Sequence, residues 1–180
     1  MQKSILKFQI FSAIFAIILG TILHFTFNWS GDNTFVGAVS AVNESTWEHL
    51  KLAFYPMLIT TIIGYFYISK DIPNFLCAKT IGIFSTILCI TILFYSYTGI
   101  LGTNYAFANI ALFIISIILG EFFAYKIMKS NFGCNKIISA ISLVILLICF
   151  IVFTYFSPRI GLFKDPTTND YGIAKNFPRI

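Results

Sequence analysis

Residues 43–51 hold the side chains of this chain that are best suited to chemistry. They read Asn-Glu-Ser-Thr-Trp-Glu-His-Leu-Lys, so two carboxylates, an imidazole, an ammonium group and an indole fall within nine residues, directly before an apolar segment. Carboxylates and imidazoles transfer protons in general acid–base catalysis and also ligate divalent transition-metal ions. We predict that this stretch forms the functional site and that the other segments build its walls.

A divalent metal ion is one expected cofactor. His24, Glu44, Glu48 and His49 make a reasonable ligand set for it. On a helix His49 points about 100° away from Glu48 and therefore toward a neighbour, for which His24 is the candidate. Two observations weaken this interpretation: the chain has no HExxH spacing, and Glu44 and His49 diverge if one continuous helix carries both.

The alternative is a local role at a helix start. Ser45 and Glu48 have the spacing of a capping box, in which Glu48 reaches back to the Ser45 amide. Glu48 and Lys51 are three residues apart and can form a surface ion pair of little energetic value. Capping leaves the neighbouring carboxylate, indole and imidazole of the stretch without a role.

The composition excludes a soluble protein. Of the 180 residues 58 % are hydrophobic and 11 % are charged, far from the roughly 25 % charged residues of soluble domains. The net charge of +5 does not indicate a nucleic-acid partner, because the lysines are scattered at segment ends rather than clustered on one face. The lipid bilayer is the expected partner.

Five apolar segments are long enough to span that bilayer: residues 8–27, 46–69, 78–97, 105–125 and 137–156. Residues 34–42 are apolar but too short to span, so we expect an interfacial or re-entrant segment there. The predicted fold is all-α, a polytopic membrane helix bundle of five transmembrane helices with one such short segment. Residues 1–157 form the transmembrane domain, and residues 158–180 form a polar tail.

The distribution of lysines predicts the orientation. With five spans, the N-terminal side holds Lys3, Lys7, Lys70, Lys79, Lys126, Lys129 and Lys136. The opposite side has Lys51 in its first loop and no lysine in its second, although the tail carries four basic residues. The positive-inside rule then places the N-terminus in the cytoplasm and the C-terminus outside.

This topology brings polar groups from four segments to the outer face. The candidate ligand- or ion-binding residues are His24, Asn28, Asn43, Glu44, Trp47, Glu48, His49, Lys51, Asp165 and Tyr171. The tail could fold over this face with Phe163 and Tyr171 as interfacial anchors, and disorder of the tail is the alternative.

Glu121 is a second intramembrane acid, in the fourth predicted span and about one and a half turns before Lys126. Charged groups inside spans are usually functional or paired, and snorkelling toward the interface beside Lys126 is the alternative. The third and fifth spans supply no intermediate charge between Glu121 and residues 43–51, which argues against a proton or ion path between them.

The chain resembles domain-of-unknown-function family 6512, a family of small bacterial integral membrane proteins. The resemblance rests on the segments NESTWEHLK (43–51), HFTFNWSGDN (24–33), YSYTG (95–99) and DPTTNDYGI (165–173), and so covers most of the chain. It implies a multi-pass protein of the bacterial cytoplasmic membrane and no particular activity. A transport- or binding-type protein with a small ligand or ion at the outer face is the first expectation. The alternatives are an intramembrane hydrolase or lipid-modifying enzyme with Glu/His acid–base chemistry, and a structural or assembly subunit.

Overall fold

Six α-helices make up most of the chain in the computed structural model, which describes residues 2–133 and 135–173. They are α1 (Gln2–Trp29), α2 (Thr34–Gly37), α3 (Thr46–Tyr67), α4 (Phe75–Leu101), α5 (Ala106–Met128) and α6 (Lys136–Tyr155). Within these described ranges the remaining structure consists of turns, two short 3-10 turns and one isolated antiparallel bridge between Lys164 and Tyr171. The prediction of an all-α fold is confirmed.

All helices except the four-residue α2 are long and apolar enough to cross a membrane, which confirms the five predicted spans. α4 begins at Phe75 and ends at Leu101 instead of covering residues 78–97. Its C-cap is Gly102, at φ 69°, a left-handed conformation that glycine adopts without a Cβ penalty. The connection to α5 is therefore shorter than expected.

α3 lies at the centre of the bundle. A larger share of α3 is buried than of any other span. α1 contacts α3 and α5, α4 lies along α5, and α6 contacts α4. The α4–α5 contact is close at Gly120, where an added Cβ would lie 2.5 Å from the Gly82 carbonyl oxygen. Small residues let membrane helices approach in this way.

Residues 158–173 fold back over the helix bundle. Phe163, which is 5 % exposed, packs against the aromatic rings of Trp47 and Phe153. This ring therefore lies in the protein core rather than at a membrane interface as expected. We call the side of the bundle at which α1 ends, α3 begins and these residues lie the tail face.

Candidate functional site

The start of α3 positions the first group of candidate residues. Ser45 is the N-cap, and its hydroxyl oxygen accepts a hydrogen bond from the Glu48 amide at 3.4 Å. The second half of the predicted capping box is not formed, because the Ser45 amide donates to Asn43 Oδ1 at 2.8 Å instead of to Glu48. α3 begins at Thr46, so Glu44 lies before the helix and its side chain is free of helical spacing.

His24, Glu44 and His49 form a compact cluster on the tail face, called the His–Glu cluster below. His49 Nε2 lies 3.2 Å from His24 Nε2 and 3.4 Å from Glu44 Oε2, and His24 Nε2 lies 3.8 Å from Glu44 Oε2. The divergence of Glu44 and His49 expected on a continuous helix does not arise, because Glu44 precedes the helix. Three potential ligand atoms from two chain segments thus face one point.

The hydrogen bonding of His49 fixes its tautomer. His49 Nδ1 lies 2.9 Å from the Ser45 carbonyl oxygen, which can only accept, so Nδ1 carries a hydrogen. In the neutral imidazole Nε2 then holds a lone pair, directed at His24 and Glu44. The contact with His49 lowers the pKa of Glu44 below its ordinary value, although partial burial opposes this. A cation held by the cluster, either a proton on His49 Nε2 or a metal ion, removes the repulsion between the facing lone pairs.

The His–Glu cluster is accessible. The side chains of His24 and His49 are 31 % and 32 % exposed, and that of Glu44 is 50 % exposed. Glu44 and His49 also line a cavity of about 210 Å³ between the start of α3, the facing sides of α4 and α5, and the tail. An ion or small ligand can therefore reach the cluster.

Glu48 and Lys51 are not part of this cluster. They form a buried ion pair with Lys51 Nζ 2.6 Å from Glu48 Oε2, and their side chains are 1 % and 0 % exposed. Thr154 of α6 completes the group, since it accepts from Lys51 Nζ at 2.7 Å and lies 3.1 Å from Glu48 Oε1. The expectation of a surface ion pair is wrong, because the first turn of α3 packs beneath α2 and against α6 rather than facing solvent.

This buried pair holds the backbone of residues 34–42. Lys51 Nζ donates to the Gly37 carbonyl at 2.8 Å, and the Val42 amide donates to Glu48 Oε2 at 3.1 Å. The two side chains thereby satisfy backbone groups of this segment.

Two tyrosine hydroxyls that are not among the predicted site residues bind the same segment. Tyr55 donates to the Ala38 carbonyl at 2.7 Å and Tyr155 to the Thr34 carbonyl at 2.7 Å. Tyr55 lies one helical turn after Lys51, and this spacing is the signal that could have placed it beside the buried pair.

The remaining candidates of the tail face lie around the cluster. Asn28 is exposed and, with Asn43 and Asp165, lines a second cavity of about 500 Å³. Asn43 Nδ2 also donates to the Gly172 carbonyl at 3.1 Å and so ties the tail to residues 43–51. Tyr171 is half-buried against the hydrophobic core.

Trp47 has a packing role. The indole is buried among Phe150, Phe153 and Phe163, with ring centroids 4.6 to 5.6 Å apart. Its Nε1 has no hydrogen-bond partner in the described part of the chain. The ring therefore faces the aromatic core between α3, α6 and the tail, away from the His–Glu cluster.

Asp165 organises the tail. Its Oδ1 accepts from the Thr167 amide at 2.7 Å, from the Thr167 hydroxyl at 2.6 Å and from the Thr168 amide at 3.4 Å. Burial raises the pKa of Asp165, but these hydrogen bonds to the ionised form outweigh it, so the pKa lies below its ordinary value.

Glu121 lies in a second buried network, in the half of the bundle opposite the tail face. Lys79 of α4 contacts both of its carboxylate oxygens, at 2.6 and 2.7 Å, and Ser12 of α1 donates to Oε1 at 2.7 Å. Thr60 of α3 lies 2.6 Å from the Ser12 hydroxyl, so four spans meet here. The alternative of snorkelling toward Lys126 is wrong, because Glu121 is 3 % exposed and paired with Lys79. Lys79, counted above among the lysines of the N-terminal side, lies one turn inside α4, which begins at Phe75.

The helices and the buried polar networks define the class of this chain: a multi-pass α-helical membrane protein. Residues 1–173 match the family described as "Family of unknown function (DUF6512)", and the chain belongs to that family. The comparisons with curated proteins and with solved structures found no match. The family membership predicted from the sequence motifs is confirmed.

Proposed function

We propose that this protein binds a divalent transition-metal ion at the tail face, through His24, His49 and Glu44, as a binding- or transport-type protein of the bacterial cytoplasmic membrane. The tail face is then the outer face of the membrane. The observation that carries the proposal is the convergence of three ligand atoms from α1 and from the start of α3, all within 4.8 Å of one another.

The distances fit a metal polyhedron. Zinc-type bonds of about 2.0–2.1 Å at tetrahedral angles put neighbouring ligand atoms about 3.3 Å apart. The separations of 3.2 Å between the two Nε2 atoms and 3.4 Å between His49 and Glu44 are close to that value. The third separation, 3.8 Å between His24 and Glu44, closes with a rotation of the exposed carboxylate.

The hydrogen bond from His49 Nδ1 to the Ser45 carbonyl supports the proposal further. Metal-bound histidines usually donate their second ring nitrogen to a carbonyl or carboxylate, which orients the ring and fixes the tautomer. Ser45 is held in turn as the N-cap of α3, so the local fold presents His49 Nε2 as a ligand. Three protein ligands leave at least one coordination position for water or a further ligand.

Metal content of the purified protein tests this proposal. We expect protein in detergent, dialysed against trace Zn²⁺ or Co²⁺, to retain about one ion per chain. His49→Ala and His24→Gln should each lose it while the thermal transition of the metal-free protein stays unchanged.

Asp32→Asn is the matched control. Asp32 is an exposed carboxylate at the tail face but not a member of the cluster, so this variant should retain the ion. Metal-free wild-type protein after this treatment, or equal retention by both histidine variants, would contradict the proposal.

A further inference from the structure

The cavity beside the His–Glu cluster has a definite chemistry. Its polar lining residues are Glu44, Thr46 and His49 together with the amides Asn104 and Asn109, and its apolar lining residues are Ile90, Phe94, Leu112 and Phe113 of α4 and α5. Pro166 and Thr167 of the tail also line it. The cavity is thus amphipathic and includes two of the three proposed metal ligands.

The charges of the lining residues favour an anion. Among the residues described, no lysine or arginine lines this cavity, and Glu44 is its one carboxylate. A divalent ion held by Glu44 and two neutral histidines keeps one uncompensated positive charge. That charge attracts one anionic donor to the open coordination position.

The amide of Asn109 is pre-oriented. The Tyr97 hydroxyl donates to Asn109 Oδ1. The Asn109 Nδ2 group is then the donor end, 3.5 Å from Asn104 Oδ1, a long contact that leaves a hydrogen available to a ligand oxygen. If one oxygen of an anion binds the metal, a second oxygen can accept a hydrogen bond from Asn109 Nδ2.

From these features we infer that the cavity binds a small monocarboxylate, with one oxygen on the metal and a short apolar body against the phenyl rings of α4 and α5. The inference rests on the proposed metal site. The volume of about 210 Å³ has room for an acid with a short apolar chain.

Titration of the Co²⁺-loaded protein with butyrate tests the inference, because the visible spectrum of Co²⁺ reports a change of its ligands. We expect a saturable spectral change with butyrate, binding at least tenfold tighter than acetate, which lacks the apolar body. Butylamine and 1-butanol, which lack the anion, should not change the spectrum.

Two variants locate the bound anion. Phe94→Trp fills the cavity and Asn109→Leu removes the amide donor, so each should weaken butyrate binding at least fivefold while one Co²⁺ per chain is retained. Asn28→Leu is the control. Asn28 lines the other tail-face cavity, so this variant should bind butyrate as the wild type does.

The outcomes separate the two proposals. Bound Co²⁺ whose spectrum does not respond to butyrate, or responds equally to butyrate and acetate, overturns the inference and leaves the metal site standing. Unchanged butyrate affinity in both cavity variants also overturns it. Protein that binds no Co²⁺ overturns the metal site and the inference together.

Discussion

Glu44 and Glu48 are four residues apart, and the structure gives them different environments. Glu44 is half-exposed before the helix and faces two imidazoles, whereas Glu48 is buried inside the first turn of α3 and faces Lys51. Position relative to the helix start decides between these environments. Glu44 suits an exchangeable ligand, and Glu48 suits a fixed structural contact.

Glu48→Gln should destabilise the protein by about 3–5 kcal/mol, because it leaves the Lys51 ammonium buried without its carboxylate. Ser45→Ala should cost about 1 kcal/mol through the lost N-cap. The free energy of unfolding in mixed micelles measures both losses. Folded Glu48→Gln protein should still bind metal, since Glu48 lies outside the His–Glu cluster. A Glu48→Gln variant as stable as the wild type would contradict the buried pair.

Asp165 should make the tail sensitive to acid. Its pKa in the folded protein lies below the unfolded value of about 3.9, so the ionised form stabilises the tail. By linkage this contribution is complete above the unfolded pKa and disappears as the pH falls through the folded pKa. We expect protease cleavage within residues 158–173 to accelerate below about pH 4.

Asp165→Asn separates this effect from general acid unfolding. It keeps an acceptor oxygen but no longer titrates, so its cleavage should lose most of the pH dependence. Asp170→Asn, at an exposed carboxylate of the same tail, should keep it. Equal pH dependence in wild type and Asp165→Asn would assign the acid sensitivity to another group.

At the scale of elements, the contact between α4 and α5 depends on the absence of a side chain at Gly120. A Cβ there would lie 1.9 Å from Thr86 Oγ1 and 2.5 Å from the Gly82 carbonyl oxygen, so the helices must separate. Gly120→Ala should therefore cost about 1–3 kcal/mol or more. Gly99→Ala, in α4 and with open space around it, should be neutral or stabilising. Equal stability of the two variants, measured by thermal unfolding, would contradict this packing.

The Lys79–Glu121 network connects four spans and should behave as a unit. Lys79→Met alone leaves Glu121 as an uncompensated buried charge and should cost about 3–5 kcal/mol. Combined with Glu121→Gln, the loss should be smaller than the sum of the two single losses by about 0.5–3 kcal/mol. A double-mutant cycle of unfolding free energies measures this coupling, and strict additivity would mean that the two side chains do not interact.

For the whole molecule, the sequence predicted the fold well because its strongest signal is apolar length. Five runs of about 20 apolar residues allow few arrangements other than spanning helices. The pairing of His49 with His24 was also expected, since a helical register and a common membrane face suffice to suggest it. The buried position of Lys79 was missed, because Lys79 lies at the edge of the predicted span, where a lysine is expected to flank the membrane. The helix begins one turn earlier, at Phe75, and this places Lys79 inside the bundle.

The two buried ion pairs could not be predicted from spacing. They require knowledge of which helices are neighbours: Glu48 and Lys51 are buried by α2 and α6, and Glu121 finds Lys79 because α5 lies along α4. The environment of Glu44 likewise depends on where α3 begins. The sequence is compatible with a start one turn earlier, which would place Glu44 on the helix, whereas α3 begins at Thr46.

Topology is the prediction that concerns the entire chain. Five spans place the termini on opposite sides, and with Lys51 and Lys79 inside the bundle the loop lysines of the N-terminal side still outnumber those of the tail-face loops. The positive-inside rule then predicts a cytoplasmic N-terminus. A reporter fused after Ile180 should be active on the outer side of the membrane. Activity confined to the cytoplasm would contradict the orientation.

X-ray absorption at the metal edge of Zn²⁺-loaded protein tests the central claim most directly, because it counts the imidazoles bound to the ion. We expect two imidazole nitrogens and oxygen donors at about 2.0–2.1 Å in the wild type, and one imidazole in any His24→Gln protein that still holds the ion. A spectrum without imidazole ligands, or with the same imidazole count in wild type and His24→Gln, would contradict a metal site built from His24, His49 and Glu44.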